Sequence, residues 1–463
     1  MTVAGHRTSA QEKAKYPKLP HPPRRVPVLG DVLGLKPDSS MQNAMGMAEL
    51  GPICEFRFLG ARYVVVTGAD AVADLNDETR FCKHVGPDIE ALRIIGGDGL
   101  FTAYNDEPNW HKAHQLLMPA FSQAAMRRYH GVMFDVADEL TDRWDRQSDL
   151  GDTVDVSADT TRVTLETIGR CATGYSFGCF QGDEMHPFVA HMVSALLGAD
   201  RLGVLRETFL PAFVYRRYER QVHRDAKYLH ELADEIVSRR AQRSEAHEDL
   251  LQIMLESDLD AANIRFQLIN FLIAGHETTS GALSFALYFL SQHPRVFARA
   301  RDEVDEVWGD EARPEFEKIA KLRYVRRVLD ESLRLQPTVP AYYRAARADT
   351  VLAGIHPMRK GDWALALTTT LHRDQRWGPN PDAFDPDRFS PEQVRARPGG
   401  LYKPFGTGER SCIGRQFALH EAVLMLAVLI RRYDLTADPD YTLRVQERLT
   451  MMPSGFRLAL HRR

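Results

Sequence analysis

The ten residues Phe405-Gly406-Thr407-Gly408-Glu409-Arg410-Ser411-Cys412-Ile413-Gly414 set one cysteine among three glycines, two residues after an arginine. An apolar run follows directly. Phe417, Leu419, Val423, Leu424, Leu426, Ala427 and Ile430 recur at helical spacing, which predicts a helix over 415–431. Cys412 then stands in a glycine-rich loop at the mouth of that helix. Free backbone N–H groups and the positive helix end favour a thiolate in such a setting.

The other cysteines, Cys54, Cys82, Cys171 and Cys179, are scattered and form no C-x-x-C pair. An odd total without such pairs indicates neither a zinc ribbon nor a disulfide framework. A lone thiolate held at a helix mouth fits a haem iron ligand better than either. The competing reading is a buried structural cysteine, the usual fate of a free thiol. The flanking residues weigh against it. Gly408 and Gly414 permit a tight turn and close backbone approach. Arg410 can pair with an anionic group such as a haem propionate. Phe405 can wall the sulfur off from water.

The 463 residues are 44% hydrophobic and 26% charged, enough apolar material for a large core. With 59 basic and 63 acidic residues the net charge is -4, so nothing indicates nucleic acid as a partner. The first 18 residues lack the apolar stretch of a signal peptide, and the longest continuous apolar run, 422–430, is too short to span a bilayer. Unpaired thiols fit a reducing compartment. The expectation is a soluble cytoplasmic protein with no membrane anchor.

Residues 1–20 read as a flexible arm and 21–463 as a single domain, because helical and strand pieces interleave without a compositional break. Prolines from Pro17 to Pro27 predict an extended entry. Strands are predicted at 55–58 and 61–66, joined at Leu59-Gly60, with further strand pieces at 343–346, 364–369, 443–445 and 456–460. Helices are predicted over 69–76, 110–117, 122–148, 157–171, 184–197, 219–247, 249–257, 264–292, 294–308 and 316–335. The segment 264–292 is apolar nearly all round and should be a buried central helix. The fold class is mainly α with a minor β component.

Three further patterns carry chemistry. Ala274-Gly275-His276-Glu277-Thr278-Thr279 puts an acid and hydroxyls in that apolar helix, which is costly unless they are used. Gly275 leaves room for a planar cofactor, and Thr278 can bend or open the helix by bonding to its own backbone. The alternative is a satisfied core threonine beside a surface glutamate. A zinc-protease motif would need histidine where Ser280 stands. Glu331 and Arg334 share a helix face, as a surface pair of little value or as part of something larger. Trp110 and His114 align one turn apart. A His111–His114 metal pair lacks an evident third ligand.

Phe405-x-x-Gly408-x-Arg410-x-Cys412-x-Gly414 resembles the haem-binding signature of the cytochrome P-450 family, and the three patterns above match further motifs of that family in order. The resemblance implies the P-450 fold, with the central helix lying over haem b and Cys412 as axial iron ligand. It implies a catalytic role for Glu277 and Thr278 in proton delivery during dioxygen activation, with Ala274 beside them. Arg410, Trp110, Lys83 and His114, the last where many relatives have arginine, are implied as propionate contacts. Phe405 and Gly414 border the cofactor. Glu331, Arg334 and Arg388 of Pro386-Asp387-Arg388-Phe389 become a buried structural network.

Stretches 97–101, 271–290 and 417–422 look like the haem domain of self-sufficient bacterial fatty-acid hydroxylases. That implies a pocket lined by Ile89, Leu92, Ile95, Phe101, Ile273, Val339, Ala341, Tyr342 and Leu449, with Arg62 and Tyr63 at the carboxylate and 197–218 over the entrance. The implied activity is a monooxygenase using O2 and NAD(P)H-derived electrons. Its donor would be a ferredoxin- or flavodoxin-type protein or a diflavin reductase, docked on a basic patch of Lys112, Lys403, Arg415, Arg127 and Arg128. The alternatives are a peroxide-driven peroxygenase and a non-enzymatic haem sensor or binding protein. Neither needs the Glu277–Thr278 pair.

Overall fold

Ala261–Gln292 forms one unbroken 32-residue helix, opened by the Asp260 side chain, which accepts a hydrogen bond from the Asn263 amide. His293 and Pro294 end it and begin the next helix, Pro294–Trp308. The computed structural model describes residues 16–34, 39–242 and 248–463. Because the central helix is apolar on every side, it can only be stable when enclosed. It lies against Val156–Thr173, Arg323–Leu335 and the helix that follows the cysteine loop, Arg415–Arg432. The long helix Gln123–Asp149, capped by Ser122, packs against the last of these.

The described residues form twelve strands, β1 Ile53–Phe58, β2 Ala61–Val66, β3 Phe81–Lys83, β4 Thr153–Asp155, β5 Ala341–Ala346, β6 Thr350–Leu352, β7 His356–Met358, β8 Trp363–Leu367, β9 Tyr433–Ala437, β10 Val445–Glu447, β11 Met451–Pro453 and β12 Arg457–Arg462. The largest sheet has the order β1-β2-β8-β5-β3, antiparallel except for the parallel β2–β8 pair. Its β1–β2 hairpin turns at Leu59 and Gly60, both at positive φ (46° and 92°), the backbone of a tight two-residue turn. The smaller sheets β4-β12-β9, β6-β7 and β10-β11 are antiparallel. The result is mainly α with a minor β part, as the patterning predicts.

Several expectations need correction. The predicted helix 316–335 is two helices, Phe316–Ile319 and Arg323–Leu335. The Glu303 carboxylate accepts from the Tyr324 and Val325 amides at 2.8–2.9 Å and so caps the second helix from a different element. The predicted 184–197 helix runs instead over Pro187–Arg206, and the 219–247 helix over Arg216–Ala241, with 243–247 outside the described residues. Pro87–Gly96 is a helix that sequence reading passed over, although Pro87 at its first turn and Ile89, Leu92 and Ile95 at helical spacing are a legible signal.

Of the expected N-terminal arm, 1–15 lie outside the described residues. The remainder is tied down: Leu19 packs on the core of the large sheet and the Pro20 carbonyl accepts from the Glu55 amide at 2.8 Å. By length and composition, Pro187–Arg206 is apolar enough to cross a membrane, contrary to the estimate from continuous runs. Here it packs against Arg216–Ala241 and Pro87–Gly96.

Candidate functional site

The cysteine loop closes through its own backbone, with the Cys412 amide donating to the Phe405 carbonyl at 2.9 Å. Gly408 is required twice over. Its φ of 71° disfavours any side chain, and a Cβ there would run into the Glu78 carboxylate, which also accepts from the Glu409 amide. Gly414 differs from expectation: its φ of -81° suits any residue, and a Cβ would sit 3.9 Å from Cys412 Sγ. What that glycine leaves is clear space beside the sulfur. Burial raises the Cys412 thiol above its ordinary range, against the opposing pull of the Gly414 N–H and of Arg415.

Behind the loop stands the predicted network. Arg334 and Glu331, both fully buried, bond in a fork (Nε to Oε2 2.6 Å, Nη2 to Oε1 2.8 Å), and Arg388 Nε lies 3.6 Å from Glu331 Oε1. The Nη groups also reach backbone carbonyls. Arg334 reaches His372, Pro381 and Ala383, and Arg388 reaches Trp377, Pro379 and Asn380. The missing link is His372, which sequence reading did not single out. Its Nε2 accepts from the Lys403 amide at 2.9 Å and its Nδ1 lies 3.2 Å from the Arg334 carbonyl, joining network to loop.

The predicted cofactor cations also converge. The Trp110 and His114 rings stack at 4.9 Å, and the Arg410 guanidinium lies 4.3 Å from the Trp110 ring centre. Arg410 donates to the Ala103 carbonyl at 2.9 Å and Asn105 Oδ1 at 3.2 Å, and Lys83 donates to the Phe101 carbonyl. Among the described residues neither Arg410 nor Lys83 forms an ion pair. Burial depresses the Arg410 pKa to about 10. Burial and then the Arg410 charge hold Lys83 well below its usual range. Burial also keeps His114 below the usual imidazole range. The His111–His114 pair gains no third metal ligand among the described residues.

The cysteine loop and the cofactor cations border one cavity of about 1250 Å³. Cys412, Phe405, Gly414, Arg410, Lys83, Trp110 and His114 line it, as do Ala274, Glu277 and Thr278 from the central helix. Ala274 is exposed although it sits mid-helix in the protein interior, because it faces this void. Gly275 also lines the cavity, and its smallness has a second use. A Cβ there would come within 2.9 Å of Ile168 Cγ1, so its smallness admits the neighbouring helix Val156–Thr173. Thr278 Oγ1 donates to the Ala274 carbonyl at 2.8 Å, the expected local bond, but the helix stays continuous and is not opened by it. Glu277 is neither a surface residue nor free. Its Oε1 accepts from Arg448 Nη1 at 2.7 Å and Thr450 Oγ1 at 3.1 Å.

Every residue expected to line the substrate pocket borders this cavity: Ile89, Leu92 and Ile95 from Pro87–Gly96, then Phe101, Ile273, Val339, Ala341, Tyr342 and Leu449. The Tyr342 hydroxyl is engaged with the Asn76 amide at 2.9 Å. The expected carboxylate anchor splits. Tyr63 lines the cavity, whereas Arg62, its neighbour on β2, points to the opposite face and pairs with Glu55 at 2.5 Å. Arg25 and Arg57 hold the same Glu55 carboxylate, which they and Arg62 depress to about 2 against the opposing effect of burial. After Arg206 the chain runs down to the β1–β2 turn, where the Phe209 amide donates to the Leu59 carbonyl at 3.0 Å.

A family model described as cytochrome P450 matches residues 20–460, and the chain belongs to that family. It is 43% identical over 425 residues, 89% of its length, to the bifunctional cytochrome P450/NADPH–P450 reductase 2 of Bacillus subtilis. It is 41% identical over 457 residues, 96% of its length, to a bifunctional cytochrome P450/NADPH–P450 reductase of Bacillus cereus. A self-sufficient cytochrome P450 monooxygenase of Exserohilum turcicum is 37% identical over 94% of the chain. The chain spans 39–42% of the length of these curated relatives.

The family's prosthetic group is haem b, and the residues present fit it. A thiol opens into a cavity beside a glycine that leaves it room. Two cations without ion-pair partners gather with Trp110 and His114 on the same cavity, a donor set suited to a pair of carboxylates.

Proposed function

We propose that this chain is a haem-thiolate monooxygenase acting on an aliphatic, fatty-acid-like chain. One atom of dioxygen enters a C–H bond and the other leaves as water, with two electrons and two protons consumed. The observation that carries this reading is that Cys412, Ala274 and Thr278 share one largely apolar cavity. Bound haem would supply the iron at which dioxygen is activated.

The chain's own residues have distinct tasks in this reading. Cys412 Sγ would hold the iron, with Phe405 and Gly414 beside it, and Arg410, Lys83, Trp110 and His114 would hold the propionates. Thr278 Oγ1, already bonded to the Ala274 carbonyl, is the hydroxyl at the cavity wall that relays a proton. Glu277, neutralised by Arg448, fixes the helix position from which Thr278 acts. The apolar lining orients the chain and excludes water. Glu331, Arg334 and Arg388 act structurally, and 21–463 serve as one haem domain.

The relatives' fusion to NADPH–P450 reductase supports a diflavin reductase as electron donor in preference to a ferredoxin- or flavodoxin-type protein. Three of the five residues of the expected basic docking patch are paired, while Lys403 and Arg415 form no ion pair among the described residues. Lys112 pairs with Asp258, Arg127 with Glu317 and Arg128 with Glu248. Exposed pairs of this kind leave little net charge to steer a partner, so the salt dependence of docking should be shallow.

The test is the absorbance of the haem-loaded, reduced protein under carbon monoxide, with turnover of a medium-chain aliphatic substrate. A red-shifted Soret band of the thiolate type and reductase-dependent hydroxylation are expected. An ordinary histidine-type band in intact protein would overturn the reading.

A further inference from the structure

The charged side chains around the cavity sort by what already neutralises them. Arg410 and Lys83 belong to the cofactor cluster. Glu277 is paired with Arg448, and Glu447 accepts from the Met41 amide at 2.7 Å. Arg344 lies 3.6 Å from Glu78, and Lys403 and Glu409 stand in the segment leading to Cys412. A further group is built by two crossing helices, Asp88 of Pro87–Gly96 and Asp200 and Arg201 of Pro187–Arg206.

The crossing itself brings the two acids together. Gly203, one turn beyond Asp200, lies directly on the backbone of Pro87 and Asp88, where a Cβ would clash with the Pro87 carbonyl. The Tyr343 ring presses on Gly86, with its hydroxyl within reach of Asp88. Asp88 Oδ1 and the Tyr63 hydroxyl are buried without a hydrogen-bond partner, although buried polar atoms are nearly always satisfied. Tyr63, Tyr343, Asp88 and Asp200 all line the cavity. Arg201 partly balances Asp200 and stands 5.7 Å from the Tyr218 ring centre. Asp88 and Asp200 thus set two carboxyl groups on one stretch of the cavity wall. On the other face of β2, Arg62 is held by Glu55.

We infer that the polar end of the substrate is a cation, an alkylammonium head held by Asp88 and Asp200, with its aliphatic tail along the apolar lining. A fatty-acid carboxylate placed there would meet two carboxyl groups and no free cation from the hairpin. This inference rests on the reading of the cavity as the substrate site. Burial and the Asp88 charge raise the Asp200 pKa to about 6, as an acid kept from water beside another acid would show, and a bound cation would relieve that cost.

The experiment compares dodecyltrimethylammonium, which has no lone pair to ligate iron, with dodecanoate. Both are titrated by calorimetry into the haem-loaded protein at pH 8, with the Soret shift recorded in parallel. We expect the cation to bind at least about tenfold more tightly, and D88N/D200N to abolish that preference. Cation affinity should also fall as the pH is lowered from 8 to 5 and Asp200 takes up a proton, with Asp88, Arg201, Glu447, Tyr63 and Tyr343 facing it. Equal or tighter binding of dodecanoate, no binding of the cation, or cation binding untouched by both substitution and pH would overturn the inference. The carbon monoxide band judges the monooxygenase reading separately, and calorimetry reports binding whether or not the spectrum responds.

Discussion

His372 accepts from the Lys403 amide through Nε2 and faces the Arg334 carbonyl through Nδ1, so its proton must sit on Nδ1. Protonating Nε2 would set two N–H groups against each other. Burial, then the Arg334 charge, lowers the His372 pKa to about 3 from an ordinary 6.5. The unfolded chain therefore binds more protons between those values, and stability falls as pH drops through that window. The slope is on the order of 1.4 kcal/mol per pH unit for this one group. His356 and His420, each near 4, act in the same direction. Urea midpoints measured from pH 7 to pH 4 should fall for the natural protein and fall less steeply for H372Q.

Removing Glu331 should be among the most damaging single changes. E331A leaves the Arg334 charge buried without its carboxylate, a loss of roughly 3–5 kcal/mol. Pairing it with R334M removes the stranded charge and should recover part of that loss. Chemical denaturation of the two variants checks the order.

Arg410 and His114 should contribute unequally to cofactor retention. Arg410 stays charged with a pKa near 10, whereas burial lowers the His114 pKa below its ordinary value. R410L should speed haem transfer to an acceptor globin by about tenfold or more, while H114A changes it by less than about threefold. Transfer rates at pH 7.5 test this directly.

Thr278 and Glu277 are adjacent yet should fail differently. T278A removes a hydroxyl from the cavity wall, and NAD(P)H oxidation should continue while product per reducing equivalent drops severalfold. E277A instead strands the half-buried Arg448 and should cost roughly 3 kcal/mol or more of stability. Coupling ratios and urea midpoints together separate the two. A T278A protein with unchanged coupling would remove the hydroxyl from the reaction.

What could be read from the sequence was local or carried by a motif. The helix after Cys412, the central helix and the Glu331–Arg334 pair all declare themselves by spacing within a few turns. The break between Phe316–Ile319 and Arg323–Leu335 does not, because the carboxylate that makes it comes from Glu303. His372 and Asp200 were invisible for the same reason, since each owes its role to a distant backbone crossing. The three-residue strands β4 and β6 exist only through partners far along the chain or in a short hairpin. Cys412 shows a further limit: the signs of the competing influences on its thiol are legible, but which one wins depends on how deep the sulfur lies.

The β1–β2 hairpin has a consequence for how such a cavity can change its preference. Tyr63 and Arg62 occupy opposite faces of one strand, and a strand exchanges its faces with every one-residue shift. No substitution at position 62 can therefore bring a side chain to the cavity while the register holds. A one-residue insertion can do so only where β2 slips against both β1 and its parallel partner β8, which exchanges which of the two neighbours looks inward. The charge offered to a substrate head is in this respect inherited through insertions and deletions, and a comparison of turn lengths should track it better than a comparison of residue types.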